Sequence, residues 1–118
     1  MQFSDYQEKS RVTAKYPDAN NNFIYPTLGL VGEAGELAEK VKKLMRDKQM
    51  FTPAEVTDDV KAEILKELGD VMWYTAQLAT EFGVDLDAVA EKNIEKLQSR
   101  LDRGKISGDG DNRWCIIS

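Results

Sequence analysis

Between Pro26 and Arg46 the apolar residues Leu30, Val31, Ala34, Leu37, Ala38, Val41, Leu44 and Met45 recur at spacings of three and four. That is the period of an amphipathic helix turning one stripe to a core, and Pro26 sits where a first helical residue would. A second run, from about Asp58 to Phe82, carries Ile64, Leu65, Leu68, Val71, Met72, Leu78, Ala79 and Phe82, and Gly83 stops it. A third begins after Asp85, a good N-cap, and passes through Leu86, Val89, Ala90, Ile94, Leu97 and Leu101 to Gly104, which is placed like a left-handed C-terminal glycine. Ser4-Asp5-Tyr6-Gln7 has capping-box spacing and predicts a first helix from about Asp5 to Tyr16, broken by Pro17-Asp18-Ala19-Asn20-Asn21-Asn22. Thr52-Pro53-Ala54-Glu55 offers a second capping box and predicts a short helical turn. No segment alternates with a period of two. The prediction is an all-α, four-helix bundle over residues 1–103, followed by a glycine-rich tail over 104–118.

Composition narrows the chemistry. The chain has 118 residues, enough for one core, and 42% hydrophobic with 31% charged residues is the balance of an ordinary soluble domain. Sixteen basic against twenty-one acidic residues leave a net charge of −5, which argues against a nucleic-acid polymer as partner. There is no histidine, which removes Ser-His-Asp and Cys-His nucleophiles, His-ligated zinc and the Glu-x-x-His motif of di-iron bundles. The single cysteine, Cys115, has no intrachain partner and is expected as a reduced thiol. With neither a secretory leader nor a membrane-length apolar run, a cytoplasmic location is expected.

The informative feature is internal. Leu30-Val31-Gly32-Glu33-Ala34-Gly35-Glu36-Leu37-Ala38 overlays Ile64-Leu65-Lys66-Glu67-Leu68-Gly69-Asp70-Val71-Met72 at a constant offset of 34 residues. In each copy the two acids lie about 60° and 120° to one side of the leading apolar residue. Two such helices packed side by side bring Glu33, Glu36, Glu67 and Asp70 face to face at the rim of their interface. Acids flanking an apolar stripe are common on solvated helices, but the repetition, with a glycine inside each pair, counts against that reading. Gly35 and Gly69 each cost about 1 kcal/mol of helix propensity, so each is expected to have a packing or close-approach reason. Clustered carboxylates repel unless protonated or metal-bound, and an all-oxygen set suits Mg²⁺, with Mn²⁺ as a substitute. A carboxylate-held Mg²⁺ keeps positions open for phosphate oxygens, which makes a phosphorylated substrate its natural partner.

On the predicted fourth helix Asn93 falls within the apolar stripe, flanked in space by Lys96 and Arg100. Beside an acidic metal site these read as a neutral ligand orienter and phosphate cations. Standing alone, Asn93 reads equally as a buried structural amide, and Lys96 and Arg100 as surface charges. Lys105 and Arg113 lie in the glycine-rich tail, where freed backbone N–H groups suit a lid over bound phosphates; a disordered tail is the alternative.

These motifs resemble the MazG-type all-α nucleoside triphosphate pyrophosphohydrolases, in which a Glu-x-x-Glu pair is followed by Glu-x-x-Asp. The resemblance rests on Glu33-Ala-Gly-Glu36 and Glu67-Leu-Gly-Asp70, and extends to Tyr6-Gln7, Leu28-Gly29-Leu30, Trp73-Tyr74, Asn93-x-x-Lys96 and the glycine-rich ending. It implies Mg²⁺-dependent hydrolysis of (d)NTPs between the α and β phosphates to (d)NMP and pyrophosphate. Glu33, Glu36, Glu67 and Asp70 would hold the metal, with Glu36, beside Glu33, the acid that orients or deprotonates the attacking water. Lys96 and Arg100 would meet charge on the leaving pyrophosphate. Tyr74 would pack near the sugar or base, though it reads equally as a half-buried core aromatic. The resemblance also implies a homodimer or homotetramer. Two departures stand out: Gly32-Glu33 replaces the double glutamate of many members, and thirty residues separate Glu36 from Glu67. A phosphoribosyl-ATP pyrophosphohydrolase keeps the same fold with another substrate, and a non-catalytic nucleotide-binding scaffold is the reading outside enzymes.

Overall fold

The computed structural model describes residues 1–104; Lys105, Arg113, Cys115 and the expected lid lie outside the described residues. Four α-helices follow one another, α1 (Phe3–Arg11), α2 (Ile24–Lys48), α3 (Asp58–Glu81) and α4 (Leu86–Asp102), with one 3₁₀ turn at Pro53–Glu55. No strand occurs among the described residues, so the all-α prediction holds.

Local chemistry sets most of the boundaries. Thr57 Oγ1 accepts from the Val60 N–H at the start of α3, and Asp85 accepts from the Asp87 N–H at the start of α4. Gly83 and Gly104 take φ of 67° and 66°, left-handed values that end α3 and α4. The 3₁₀ turn is closed by Glu55, which accepts from the Phe51 N–H and the Thr52 hydroxyl. α2 begins two residues ahead of Pro26, because Asn22 Oδ1 accepts from the Tyr25 N–H and caps the first turn; Pro26 itself is buried within it.

α1 departs from the sequence reading at both ends. Its opening turn is capped by Asp5, which accepts from the Gln2 N–H at 3.0 Å, instead of by a Ser4–Gln7 box. Gln7 is used elsewhere: its amide donates to Thr80 Oγ1 and the Val84 carbonyl and accepts from the Leu86 N–H, which pins the α3–α4 turn to α1. The helix stops at Arg11, short of Tyr16, because longer-range bonds capture the chain beyond it.

Those bonds converge on Glu81, the last residue of α3. Its side chain has no solvent exposure. Its carboxylate accepts from the Tyr16 hydroxyl, from Arg11 at 2.9 Å and from the backbone N–H groups of Asn20 and Asn22 at 2.9 and 2.8 Å. Arg11 also reaches Gln77, which is fully buried, and Asn20. Burial alone would raise the Glu81 pKa, but the donors from Tyr16, Asn22, Asn20 and Arg11 outweigh it and hold the group at about 2. Asp18 and Asn20 take left-handed φ in this loop, a conformation their short polar side chains tolerate.

α2 and α3 run antiparallel along most of their length, and α1 lies against α3 and α4. α4 packs on α1 and α3 and makes no contact with α2. The small core of Ala76, Ala79 and Leu86, with Tyr6 packed against it, lies where α1, α3 and α4 meet.

Glu81 supplies a stability test. Its folded pKa lies below the ordinary 4.5, so its contribution is complete above that value and is lost as pH falls toward 2. Replacing Glu81 by Gln should cost roughly 3 kcal/mol at pH 7, a drop in Tm on the order of 10 °C. The gap between wild type and variant should narrow in melts at pH 3; equal melting at pH 7 would show that the clasp contributes nothing.

Candidate active site

The antiparallel register aligns the two copies of the repeated motif. Glu33 on α2 and Glu67 and Asp70 on α3 each place a carboxylate oxygen within 4.8 Å of the others. Glu33 Oε2 and Glu67 Oε2 are buried and have no hydrogen-bond partner. Buried oxygens without donors are rare, and two in one cluster are an arrangement that a cation would fit.

Electrostatics bears the strain of this proximity. The Glu33 pKa is pushed up to about 7, first by burial, then by its hydrogen bond with Glu67 and by the charges of Glu36, Asp70 and Glu67. Glu67 moves the other way, held down chiefly by Lys40, whose ammonium lies 2.9 Å from Glu67 Oε1. Glu33 is thus pushed toward its protonated form and Glu67 toward its charged form. Glu36 is exposed one turn beyond Glu33; its charge is felt at Glu33, but its carboxylate is not among the three that converge. The three-acid, all-oxygen set with two unbonded buried oxygens fits a hard divalent cation such as Mg²⁺ or Mn²⁺.

One turn to the side, Tyr74 follows Asp70 on α3 and Gly29 precedes Glu33 on α2. The Tyr74 ring lies directly on Gly29: a β-carbon there would fall 2.2 Å from a ring carbon. Tyr74 is half-buried, and its pKa is raised by burial first, then by Tyr25 and by the charges of Glu33 and Asp70, which sets the phenol beside the carboxylates. An aromatic chain supports it, with Tyr25 6.4 Å and Trp73 5.0 Å away between ring centres, and Tyr16 stacked on Tyr25 at 5.1 Å. Trp73 is fixed in turn by donating to Thr13 Oγ1.

This corrects the expectation for the glycines. A β-carbon on Gly35 or Gly69 would meet nothing within 4 Å among the described residues, so neither has the close-approach reason expected of it within this chain. The glycine that a neighbour requires is Gly29. Spacing alone carried a partial signal, since Gly29 and Tyr74 stand at mirrored positions about the acids.

On α4 the burial of Asn93 and Arg100 departs from the sequence reading. Asn93 is exposed, not buried in the stripe, because the apolar face of α4 is incompletely covered: Ile94 beside it is 63% exposed. Asn93 lines a cavity of about 310 Å³ with Tyr6, Val71, Met72 and Thr75. That cavity adjoins the acids on the Asp70 side, where the Asp70 charge, after burial, raises the Tyr6 pKa. Lys96 is half-buried, and Arg100, expected as a phosphate cation or else a plain surface charge, is only 3% exposed. No acidic side chain of α4 joins the three-carboxylate cluster.

Comparison with known proteins accords with this geometry. Residues 26–104 match the family model of the MazG nucleotide pyrophosphohydrolase domain, a span that contains both acid motifs and all of α4. The chain is 51% identical over 118 residues to the Gene 37 protein of Mycobacterium phage L5, covering 96% of this chain and all of that protein. It is 36% identical over 75 residues to the uncharacterized protein YvdC of Bacillus subtilis (strain 168), covering 62% of this chain and 70% of the other. No solved structure gives a significant match.

Two measurements test the site. A divalent ion must displace the proton on Glu33, so apparent Mn²⁺ affinity should be roughly tenfold weaker at pH 6 than at pH 8, with proton release on binding detectable by calorimetry in two buffers. Gly29→Ala should displace the Tyr74 ring, at a cost of about 1–3 kcal/mol and with an altered near-ultraviolet dichroism signal. Adding Tyr74→Ala should recover part of that loss; a variant indistinguishable from wild type would show that the contact is not tight.

Proposed function

This chain belongs to the MazG nucleotide pyrophosphohydrolase family, and on that premise we propose that it hydrolyses (d)NTPs between the α and β phosphates, with Mg²⁺ as cofactor and Mn²⁺ as substitute. The observation that carries the reading is the convergence of Glu33, Glu67 and Asp70 with two buried, unbonded oxygens.

In this reading those three side chains hold the cation, and Glu36, exposed at the margin of the cluster, is placed to reach solvent and orient the attacking water. Bound there, the cation supplies neutralisation of phosphate charge and stabilises the charge that develops at the α-phosphorus. Tyr74, seated on Gly29 beside the acids, bounds the nucleoside, and a close aromatic wall favours deoxyribose. With Arg100 buried, Lys96 is the α4 cation proposed to meet the leaving pyrophosphate. The physiological role proposed is control or sanitation of the nucleotide pool in the cytoplasm.

A homo-oligomer belongs to the same proposal. Val31, Leu65, Leu68, Met72, Ile94 and Leu101 are each between 42% and 66% exposed, more apolar surface along three helices than a solitary chain of this size ordinarily shows. A homodimer or homotetramer would cover it, and sedimentation at micromolar concentration measures the state.

The deciding experiment is turnover of a panel of dNTPs and NTPs with Mg²⁺, separating NMP from NDP and pyrophosphate from phosphate. Monophosphate with pyrophosphate is expected, reduced at least about 100-fold in Glu67→Gln and Asp70→Asn proteins that still melt cooperatively. Folded, metal-loaded protein that turns over phosphoribosyl-ATP but no simple nucleotide would replace the substrate class, and no turnover at all would leave a binding role.

A further inference from the structure

We propose that Lys40 is a positioning residue of the metal site: it grips one oxygen of Glu67 and thereby aims the other at the cation. This rests on the carboxylate cluster holding a divalent ion, as proposed above.

The geometry is specific. Lys40 stands one helical turn beyond Glu36 on α2, and its ammonium lies 2.9 Å from Glu67 Oε1 and 3.6 Å from Glu63 Oε2 on α3. The second oxygen of Glu67, Oε2, is buried and unbonded, and Glu67 is one of the three acids that converge. One carboxylate thus has its outward oxygen fixed by a cation and its inward oxygen empty-handed. The last torsion of a glutamate is broad, so removing Lys40 frees the outward oxygen and loosens the plane of the carboxylate. Glu67 side-chain exposure is 12%, which leaves little solvent to replace the lysine. Partners of this kind, bonded to a ligand and not to the metal, commonly change affinity 10- to 100-fold when removed.

Plain electrostatics predicts the opposite sign. A lysine beside a cation site repels the incoming ion, so deleting it should tighten binding if position does not matter. Lys43, one turn away and paired with Glu39 at 3.6 Å, provides the baseline for loss of one positive charge nearby.

The test is calorimetric titration of the full-length protein with Mn²⁺ alone, without nucleotide, for wild type, Lys40→Met, Lys40→Arg, Lys43→Met and Glu67→Gln. Binding in Lys40→Met is expected to weaken about 10- to 100-fold, to be largely restored in Lys40→Arg, and to be unchanged or slightly tighter in Lys43→Met. The Lys40 side chain is a four-carbon stem ending in the ammonium and is 37% exposed, so methionine keeps most of its packing; Lys40→Gln serves should the methionine variant unfold. Equal or tighter Mn²⁺ binding in folded Lys40 variants, with binding intact in wild type and lost in Glu67→Gln, overturns this inference alone. Wild type that binds no Mn²⁺ overturns the metal site and this inference with it.

Discussion

Negative charges forced together between two packed helices are the constraint around which this molecule is arranged. Side-by-side packing of α2 and α3 brings three carboxylates within 4.8 Å and buries an oxygen on two of them. The protein offsets the repulsion with a different device at each acid. Glu33 retains a proton, Glu67 takes a lysine, and Asp70 stays in contact with solvent. None of these satisfies Glu33 Oε2 or Glu67 Oε2, so the fold tolerates buried polar atoms that a purely structural helix pair would have replaced with apolar side chains.

Glu81 is the internal contrast. It too is a buried glutamate, on the same helix as Glu67 and Asp70, yet its pKa lies at about 2 where that of Glu33 lies at about 7. The difference lies in the donors. Glu81 is surrounded by a guanidinium, a phenol and two backbone N–H groups, whereas Glu33 meets other acids. One end of α3 is therefore a finished structural joint that anchors α1 and the following loop. Three turns back, the same helix carries acids with no such donors.

Periodicity made much of this legible. The apolar stripes located α2, α3 and α4 to within a few residues, and Asp85, Gly83 and Gly104 marked real helix ends because caps act through local hydrogen bonds and backbone geometry. The repeat at an offset of 34 residues identified the acids before any packing was known. What stayed hidden depends on which residue of one helix meets which residue of another. Gly35 and Gly69 have close-approach spacing but face open space among the described residues, while Gly29, one turn before Glu33, carries the Tyr74 ring. In Glu-Lys-Val-Lys-Lys nothing in the pattern sets Lys40 apart from its neighbours; only the register reveals that its ammonium crosses to Glu67. Tyr16 was assigned to α1 because nothing local ends the helix at Arg11; the ending is imposed by Glu81, 65 residues away. The exposure of Asn93 follows likewise from an apolar face on α4 that one chain does not cover.

The α2–α3 pair behaves as a ladder whose rungs are one helical turn apart. Gly29 meets Tyr74 at one rung, Glu33 meets Glu67 and Asp70 at the next, and Lys40 meets Glu67 and Glu63 beyond them. The second and third rungs share Glu67, and the first senses the acids through Tyr74, so their energies do not separate: the pKa of Glu33 depends on the charge of Glu67, which depends on Lys40, while Tyr74 feels Glu33 and Asp70. Residues coupled in this way show interaction energies comparable to their single effects. A substitution at any rung is therefore read at the others, and the behaviour of the cluster belongs to the register of two helices more than to any one carboxylate.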